Sequence, residues 1–429
     1  MRVDSTEITP LQKPLDATVK VPGSKSYTNR ALLVAALAEG ESLLTGALFS
    51  DDTDHMVQSL RKLGVAVEAD PAVASFSVRG NGGKIPVADA ELYIGNSGTT
   101  SRSIISYAAL GDGHFVVDGD EPMRTSRPIS DLLQALNRLG VDARSRFDNG
   151  CLPVDIRARG FKGGQTQLDA SKSSQFLTSL MLTGPRTQEG LDIEMVGEFK
   201  TQYIDITMAV MRAFGAEVEH ENYRRFNIVG GQCYRGRKYA IEPDASNASY
   251  FFAAAALTGG RVRVDDITAD SAQGDIRFVD VLEEMGCTVD RRDNGIEVVG
   301  PEKLKGIDID MKEISDTSLT LAAIAPFADG PVRIRNVEHS RWQETDRVSA
   351  MATELHRLGV QVEEHRDGVT ISPSQPQPAA VDTYDDHRVA MSFALVGLKV
   401  PGIRINDPGC VSKTFPTYFE VWQGLRGTA

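Results

Sequence analysis

Two short sequence patterns recur along this chain about every 70 residues. In the first, a polar start runs into a small-residue apolar stretch that ends in glycine. These stretches close at Gly40, Gly111, Gly184, Gly259, Gly330 and Gly397. In the second, an amphipathic segment ends in glycine and continues as a strand-like segment. These glycines are Gly64, Gly140, Gly215, Gly286 and Gly359. Such spacing indicates one supersecondary unit copied along the chain, with each copy too small to bury its own apolar face. The chain is therefore predicted to contain six related units.

Each repeat unit is predicted to combine helices with strands. A Ser, Asp or Asn stands near the start of each small-residue stretch, where its side chain can accept hydrogen bonds from the free amides of a helix. A glycine after the stretch can supply a left-handed stop, and Gly40, Gly259 and Gly330 fit this role best. The segments 16–21 and 75–80 alternate apolar with polar residues, as strands do. The predicted fold class is therefore α/β (α+β).

The count of units divides the chain into two domains. Three units lie between residues 23 and 243, and three follow. The sixth unit leaves no room for its own later strands, whereas residues 1–22 are strand-like, so we expect the N-terminal segment to complete the last unit. We therefore predict a first three-unit domain at 23–243 and a second one formed by 1–22 plus 244–429. Two crossings of the chain between them would leave a cleft that can close on ligands.

Composition argues against several classes of protein. The longest apolar runs fall far short of the roughly 18 residues that a membrane span needs, and the N-terminus resembles neither a signal peptide nor a transit peptide, so we expect a cytoplasmic protein. A net charge of -13 argues against nucleic-acid binding. The four cysteines and seven histidines lack the spacing of metal ligands. We therefore expect free thiols and a chemistry that uses no metal.

Charged and polar side chains gather at the predicted helix starts. In the first half they are Lys25, Ser26, Arg30, Asn96, Gly98, Arg102, Arg127, Ser173, Ser174 and Gln175. In the second half they are Asp316, Glu344, Arg347, His387, Arg388 and Lys413. Helix N-termini that carry hydroxyls, cations and glycines favour anions, because the free amides and the helix dipole both attract negative charge. Carboxylates beside those cations indicate proton transfer next to bound anions.

At these residues the sequence resembles the 5-enolpyruvylshikimate-3-phosphate synthases, which move the enolpyruvyl group of phosphoenolpyruvate onto shikimate 3-phosphate. The resemblance runs through ten ordered stretches: 22–31, 95–99, 126–129, 173–178, 203–206, 244–250, 274–278, 344–347, 386–391 and 413–416. It implies a two-domain inside-out barrel of the enolpyruvyl transferase type, with three helix-and-strand units in each domain. It also implies a monomeric shikimate-pathway enzyme with small-molecule substrates, no cofactor and sensitivity to the herbicide glyphosate.

The resemblance assigns a role to individual residues. Shikimate 3-phosphate would contact Lys25, Ser26, Arg30, Ser173, Ser174, Gln175, Lys200, Thr201, Tyr203, Asp316, His339 and Gln343. Phosphoenolpyruvate would contact Lys25, Asn96, Gly98, Arg127, Gln175, Glu344, Arg347, His387, Arg388 and Lys413. Asp316 is assigned as general base to the acceptor hydroxyl and Glu344 as general acid at carbon, while Lys25 would polarise the bridging oxygen and share in proton transfer.

The chain departs from the family pattern at several of these positions. Lys200 stands where the family commonly has Ser, with Thr201 beside it, so the acceptor phosphate would gain a cation there. His339 replaces an Asn, and Gln343 replaces a Lys that ordinarily contacts the acceptor, which removes a positive charge. Ser103 occupies a position where Pro is usual. The acceptor is therefore expected to be held somewhat differently, or to be another molecule.

Two alternative functions remain open on sequence alone. The first is an enolpyruvyl transferase with another acceptor, such as UDP-N-acetylglucosamine. That family normally has Lys-Asn in its first motif, where this chain has Lys25 and Ser26, and it carries a reactive Cys that residues 1–150 lack. The second alternative is a repeat protein that binds partners on a concave face without catalysis. The retained set of acid, base and cations argues against it.

Overall fold

The computed structural model describes residues 4–426, which form two compact domains. The first domain is Gly23–Glu242. The second domain joins the segment that ends at Pro22 to the chain from Pro243 onward. The N-terminal segment contributes two strands, β1 (Ser5–Glu7) and β2 (Asp16–Val19), to the second domain.

The first domain contains three successive repeat units. The first has α1 (Lys25–Leu37), β3 (Glu39–Thr45), α2 (Asp51–Lys62), β4 (Ala66–Asp70), a 3-10 turn (Pro71–Val73) and β5 (Ser75–Asn81). The second has β6 (Asp89–Tyr93), α3 (Gly98–Ala108), β7 (Asp112–Asp118), α4 (Glu121–Thr125), α5 (Ser130–Arg138), β8 (Asp142–Ser145) and β9 (Val154–Arg159). The third has β10 (Gly164–Asp169), α6 (Gln175–Thr183), a 3-10 turn (Gly184–Arg186), β11 (Leu191–Val196), α7 (Gln202–Ala213), β12 (Glu219–Glu221) and β13 (Arg225–Ile228), and β14 (Lys238–Ala240) follows.

The second domain repeats this element order. Its first unit has α8 (Ala245–Thr258), β15 (Arg261–Asp265), a 3-10 turn (Gly274–Arg277), α9 (Phe278–Glu284), β16 (Thr288–Arg292) and β17 (Gly295–Val299). The next has β18 (Asp308–Asp310), 3-10 turns (Lys312–Thr317, Ala325–Phe327, Glu338–Trp342), α10 (Ser318–Ile324), β19 (Val332–Arg335), α11 (Arg347–Arg357), β20 (Val362–His365) and β21 (Gly368–Ile371). The last has β22 (Ala380–Val381), α12 (His387–Ala394), 3-10 turns (Val396–Leu398, Pro408–Lys413), β23 (Arg404–Asn406) and α13 (Tyr418–Arg426).

The sheets confirm the predicted repeat. Within the described residues, five sheets have four strands in the orders β14-β3-β5-β4, β6-β7-β9-β8, β10-β11-β13-β12, β2-β15-β17-β16 and β18-β19-β21-β20. In each of them the first two strands are parallel and the remaining pairs are antiparallel. The sixth sheet is shorter, with the order β22-β23-β1. The fold is therefore the mixed α/β arrangement that six copies of one unit require.

The N-terminal segment serves two sheets of the second domain. Strand β1 pairs antiparallel with β23, with Thr6 opposite Ile405, and so takes part in the sixth sheet. Strand β2 pairs in parallel with β15, with Ala17 opposite Val262, and supplies the first strand of the fourth sheet. The second of these pairings was not predicted from the sequence. In the first domain, β14 closes the first sheet in the same way by pairing with β3.

The small-residue helices form the centre of each domain. In the first domain α1, α3 and α6 contact one another, and every residue of α3 is buried. In the second domain α10 contacts both α8 and α12. Helices rich in Ala, Ser and Thr can approach closely, because their side chains occupy little volume between the backbones. The amphipathic helices, such as α2 and α5, bury only one side.

The predicted glycine stops are only partly right. Gly259 caps α8 in the left-handed conformation, as expected. Gly40 lies inside β3 and Gly330 lies beyond the end of α10, so neither caps its helix. Helix α1 ends at Leu37, with Ala38 as its C-cap, because the chain passes directly into β3. The glycines after the amphipathic helices do adopt positive φ angles. These angles are 87° at Gly64, 84° at Gly140, 89° at Gly215, 100° at Gly286 and 74° at Gly359.

From residue 4 to residue 426, the structure contains no helix with the length and apolar character that a membrane crossing requires. The four cysteines are free thiols, of which Cys233 is exposed and the others are buried.

Substitution of Ile8 tests the closure of the sixth sheet. We expect Ile8→Ala to lower the free energy of unfolding by about 2–5 kcal/mol. Ile8 is 6% exposed. It also packs closely against Gly397, since a Cβ atom built at Gly397 would lie 2.4 Å from the Cβ atom of Ile8. Chemical denaturation measures the change. The matched control is Val299→Ala on β17, where the side chain is 37% exposed and the expected loss is roughly 1 kcal/mol or less. Equal losses in the two variants would contradict the proposed packing of the N-terminal segment.

Candidate active site

Residues from the second and third repeat units meet at the start of α3. A Cβ atom on Gly98, the first residue of α3, would lie 2.5 Å from Nη2 of Arg127 and 3.2 Å from Oε1 of Gln175. Gln175 is the first residue of α6 and its Nε2 donates to the hydroxyl of Thr99 at 3.2 Å. The structure therefore brings together three predicted site residues that are far apart in sequence, and only glycine leaves room for the guanidinium.

The loop before α3 holds Arg127 in place. Nη1 of Arg127 donates to the backbone oxygen of Asn96 at 2.9 Å and to its side-chain Oδ1 at 2.8 Å. Arg127 is 6% exposed. Its guanidinium is therefore oriented by a neighbouring loop, which is the condition for specific recognition of an anion.

Lys25 begins α1 and is paired with a residue that the sequence analysis missed. Its Nζ lies 3.7 Å from Oδ2 of Asp52, and the two side chains are 15% and 4% exposed. Asp52 belongs to the first turn of α2, a helix capped by Ser50. The repeat offered a signal, since the corresponding helix of another unit, α11, begins with the predicted site residue Arg347.

Arg30 connects three helices of the first domain. Its Nε donates to Thr207 at 2.9 Å, and its Nη2 donates to Thr178 and to the backbone oxygen of Tyr203, both at 3.2 Å. Its Nη1 donates to the backbone oxygen of Ser26 at 3.0 Å. Burial lowers the pKa of Arg30 to about 10. These contacts establish a packing role, while the predicted contact with a ligand stays a prediction.

The remaining predicted acceptor residues of the first domain lie at the starts of α6 and α7. The hydroxyl of Ser173 accepts a hydrogen bond from the backbone amide of Gln175 at 3.3 Å, and Ser174 immediately precedes α6. Lys200, which is 8% exposed, places Nζ 5.9 Å from the ring centroid of Tyr203. Thr201 immediately precedes α7. Hydroxyls and an ammonium group beside helix N-termini suit a phosphate.

Arg347 is the centre of a charged cluster in the second domain. Its side chain is 2% exposed and contacts the carboxylates of Asp316 at 3.1 Å, Glu344 at 3.0 Å and Asp386 at 2.8 Å. Burial alone would lower the pKa of Arg347, but the charges of Asp386, Glu344 and Asp316 raise it above its usual value. Arg347 therefore stays charged, and its surroundings depend on that charge.

Two further cations complete this cluster. Nζ of Lys413 lies 3.1 Å from Oε1 of Glu344, and Nη2 of Arg388 lies 3.0 Å from Oδ2 of Asp316. Asp316 and Glu344 are 13% and 10% exposed. Each predicted catalytic carboxylate is thus paired with two predicted anion-binding cations. The charges in this cluster balance. Its three carboxylates are Asp316, Glu344 and Asp386, and its three cations are Arg347, Arg388 and Lys413.

His339 and Gln343, which depart from the family pattern, make hydrogen-bond contacts within the second domain. Nε2 of His339 lies 2.9 Å from the hydroxyl of Ser315. Gln343 accepts a hydrogen bond from Nη1 of Arg347, and its Nε2 lies 3.5 Å from Oδ1 of Asp316. Gln343 therefore connects a cation to a carboxylate, which a Lys could not do because it has no acceptor.

His387 is a predicted ligand contact whose side chain is fully buried. It is 0% exposed, and its Nδ1 lies 3.6 Å from Oδ1 of Asp386. The ring is thus enclosed at the start of α12, where it packs beside the charged cluster. Among residues 4–426 no group of three or more His, Cys, Asp or Glu side chains is arranged to hold a metal ion.

The chain is similar to known proteins over nearly its whole length. The family model "EPSP synthase (3-phosphoshikimate 1-carboxyvinyltransferase)" matches residues 10–422. A 3-phosphoshikimate 1-carboxyvinyltransferase of Nostoc punctiforme is 50% identical over 418 residues, which cover 97% of this chain and 98% of the relative. Its counterpart in Sulfurovum sp. is 45% identical over 415 residues, covering 96% and 97%.

Solved structures agree with this result. EPSP synthase from Acinetobacter baumannii superposes with a TM-score of 0.82 at 28% identity, covering 98% of this chain and 97% of that one. The enolpyruvyl transferase NikO from Streptomyces tendae has a TM-score of 0.74 at 20% identity, covering 98% and 97%. At that identity the second likeness shows a shared fold only.

Substitution of Gln343 by the Lys that it replaces tests the contact with Arg347. We expect Gln343→Lys to lower the free energy of unfolding by about 1–3 kcal/mol, because it removes an acceptor from a buried guanidinium and places a second cation beside it. Chemical denaturation measures the change. Gln361→Lys is the matched control, since it makes the same change on an exposed side chain of the same domain. A stabilised Gln343→Lys variant would show that the contact is dispensable.

Proposed function

The chain belongs to the EPSP synthase family, the 3-phosphoshikimate 1-carboxyvinyltransferases, and we propose that its helix-start residues divide that family's reaction between them as follows. The enzyme transfers the enolpyruvyl group of phosphoenolpyruvate to the 5-hydroxyl of shikimate 3-phosphate and releases phosphate. This is a step of the shikimate pathway towards chorismate and the aromatic amino acids, and it is the target of glyphosate. The observation that carries the assignment of roles is the pairing of two carboxylates, Asp316 and Glu344, with Arg347, Arg388 and Lys413.

The cations bind phosphoenolpyruvate through its two anionic groups. Arginine pairs with carboxylate and phosphate through parallel hydrogen bonds, and a lysine adds a point charge. In the structure, Arg347, Arg388 and Lys413 are paired with Asp316 and Glu344. We propose that the substrate takes over these cations and so releases the two carboxylates for chemistry. Arg127, oriented by Asn96 and set beside Gly98 and Gln175, contributes from the first domain. His387 adds to the same set through its place at the start of α12.

The first domain supplies most contacts to shikimate 3-phosphate. Lys25, Ser26, Arg30, Ser173, Ser174, Gln175, Lys200, Thr201 and Tyr203 form this set, and Asp316, His339 and Gln343 add to it from the second domain. Lys200 provides the phosphate with a cation that the usual Ser lacks, while Gln343 gives up one, so the acceptor keeps a comparable total of positive charge.

The reaction is an addition followed by an elimination. Asp316 removes the proton of the acceptor hydroxyl while the hydroxyl oxygen attacks the central carbon of phosphoenolpyruvate. Glu344 takes up a proton from solvent once its cations pair with the substrate, and it donates that proton to the methylene carbon, which becomes a methyl group. In the second stage Glu344 takes a proton back from that methyl group, the carbon–oxygen bond to phosphate breaks, and the carbon–carbon double bond re-forms. Lys25 stabilises the negative charge on the bridging oxygen as phosphate leaves. Asp316 passes the hydroxyl proton to the departing phosphate, so that both carboxyl groups return to their starting states.

We also propose that the protein works as a cytoplasmic monomer without nucleic-acid or membrane partners. The net charge of -13 disfavours contact with nucleic acid and with anionic lipid surfaces. Sedimentation at several protein concentrations tests the monomeric state.

Phosphate release tests the function directly. Purified protein receives phosphoenolpyruvate together with shikimate 3-phosphate, UDP-N-acetylglucosamine or unphosphorylated shikimate as parallel acceptors. We expect release only with shikimate 3-phosphate. Release only with another acceptor would show that His339 and Gln343 have redirected the acceptor site. No release with any acceptor, from protein that still binds phosphoenolpyruvate, would contradict catalysis.

Amide variants test the two proposed proton-transfer groups. We expect Asp316→Asn and Glu344→Gln each to lower kcat by roughly 10²- to 10⁴-fold, because each amide keeps the shape and one acceptor but cannot exchange the proton. The KM values should change far less. Asp308→Asn is the control, since this carboxylate is 63% exposed and paired with Arg335 on the same domain. Near-normal turnover in both site variants would refute the assignment.

Substitution of Gly98 tests the crowding against Arg127. We expect Gly98→Ala to raise KM for phosphoenolpyruvate by roughly 10- to 100-fold, because the added methyl group would lie 2.5 Å from Nη2 of Arg127 and force the guanidinium away. Steady-state kinetics with both substrates measures the effect, and KM for shikimate 3-phosphate should change less. The control is Gly424→Ala on α13, where a Cβ atom meets nothing within 4 Å. An unchanged KM for phosphoenolpyruvate would exclude Arg127 as a ligand.

A further inference from the structure

Asp386 is a buried carboxylate that the reaction as described does not use. It stands immediately before α12, in a turn where Tyr384 and Asp385 have positive φ angles of 56° and 55°. Its backbone amide donates to the oxygen of Thr383 at 2.8 Å. Its side chain is 0% exposed. A buried carboxylate loses its hydration, so carboxylates are buried only where strong partners compensate for that loss.

The two residues that donate hydrogen bonds to the Asp386 side chain, Arg347 and Arg388, are both proposed phosphoenolpyruvate ligands. Oδ2 accepts a hydrogen bond from Nε of Arg347 at 2.8 Å, and Oδ1 accepts one from Nη2 of the same side chain at 3.2 Å. Oδ1 also accepts from the backbone amide of Arg388 at 2.8 Å and so caps α12. One carboxylate thus fixes a side chain from α11 and the helix start that carries a second cation.

The two-pronged contact determines how Arg347 faces its other partners. A guanidinium is planar, so a carboxylate held against the Nε and Nη2 edge fixes the direction of the remaining N–H groups. In this structure Nη1 of Arg347 contacts Asp316, and Nη2 also contacts Glu344. Without Asp386, only Asp316 and Glu344 would remain to balance the positive charge of Arg347. They would then have to stay paired with Arg347 and could not give it up to the substrate.

We propose that Asp386 is a positioning residue for phosphoenolpyruvate, which orients Arg347 and the α12 start bearing Arg388 and takes no part in proton transfer. The inference rests on the proposed binding role of those two arginines. It assigns a role to a residue at which the sequence analysis recognised only a motif. A helix cap alone would explain the contact with the Arg388 amide but not the two hydrogen bonds to Arg347.

The test compares two N-cap carboxylates of the same domain. Asp346 also caps its helix, α11, and holds Nη1 of Arg341 with both oxygens, at 3.0 and 2.8 Å. Asn is as good an N-cap as Asp, so Asp386→Asn and Asp346→Asn both keep the cap and remove a charge beside an arginine. Only the first should raise KM for phosphoenolpyruvate, by 10-fold or more, with less than a 3-fold change in KM for shikimate 3-phosphate and in kcat.

A double-mutant cycle separates positioning from general damage. Arg347→Lys keeps the charge but lacks the edge that Asp386 binds, so Asp386→Asn in that background should change KM for phosphoenolpyruvate by less than 2-fold. Independent, multiplying effects of the two substitutions would overturn the proposal, as would an unchanged KM in Asp386→Asn alone. A selective fall in kcat, with KM unchanged, would overturn it as well and indicate a role in proton transfer.

A second variant covers the case in which Asp386→Asn does not fold. Asp386→Glu keeps the charge but moves the carboxylate by one methylene, and it should still raise KM for phosphoenolpyruvate at least 3-fold, with the same non-additivity towards Arg347→Lys. A normal KM in this variant would overturn the proposal. Wild-type protein that releases no phosphate would refute the proposed function instead, so the two failures are distinguishable.

Discussion

Close packing between small-residue helices is the constraint on which the rest of this structure depends. Each repeat unit can cover only part of its own apolar surface, so it must bury a helix against those of its neighbours. Ala, Ser and Thr on α1, α3 and α6 allow that approach, and every residue of α3 is buried as a result. The same packing sets the starts of the helices near one another. Gly98 and Gln175, from different units, consequently lie side by side.

Charge balance governs the site in the second domain. A buried ion is stable only when its partners replace its hydration, and Arg347 has Asp316, Glu344 and Asp386 as partners. Two of these carboxylates are also the proposed proton-transfer groups. The proposed mechanism therefore requires Asp316 and Glu344 to give up their cations when an anion binds, while Asp386 stays in place to hold the guanidinium.

The unusual residues are integrated into this network. Gln343 supplies both an acceptor for Arg347 and a donor directed towards Asp316, and His339 contacts Ser315, next to Asp316 in the chain. They change the local hydrogen bonding around the proposed base. They leave the pairing of Asp316 with Arg347 and Arg388 intact. This is consistent with membership of the EPSP synthase family at 50% identity to a relative over most of the chain.

The repeat, the mixed fold class and most of the candidate residues could be predicted from the sequence alone. Periodic glycines and helix-start residues are local signals, and the glycines after the amphipathic helices, such as Gly64, do have positive φ angles. Other features needed the tertiary structure. Strand β2 joins the fourth sheet through pairing with residues more than 240 positions away, Gly40 lies in a strand rather than at a helix stop, and Asp52 and Asp386 acquire meaning only from Lys25 and Arg347 beside them. The reason is physical: the intrinsic preference of a segment is encoded within a few residues, whereas strand partners and the compensation of a buried charge arise only when distant parts of the chain meet.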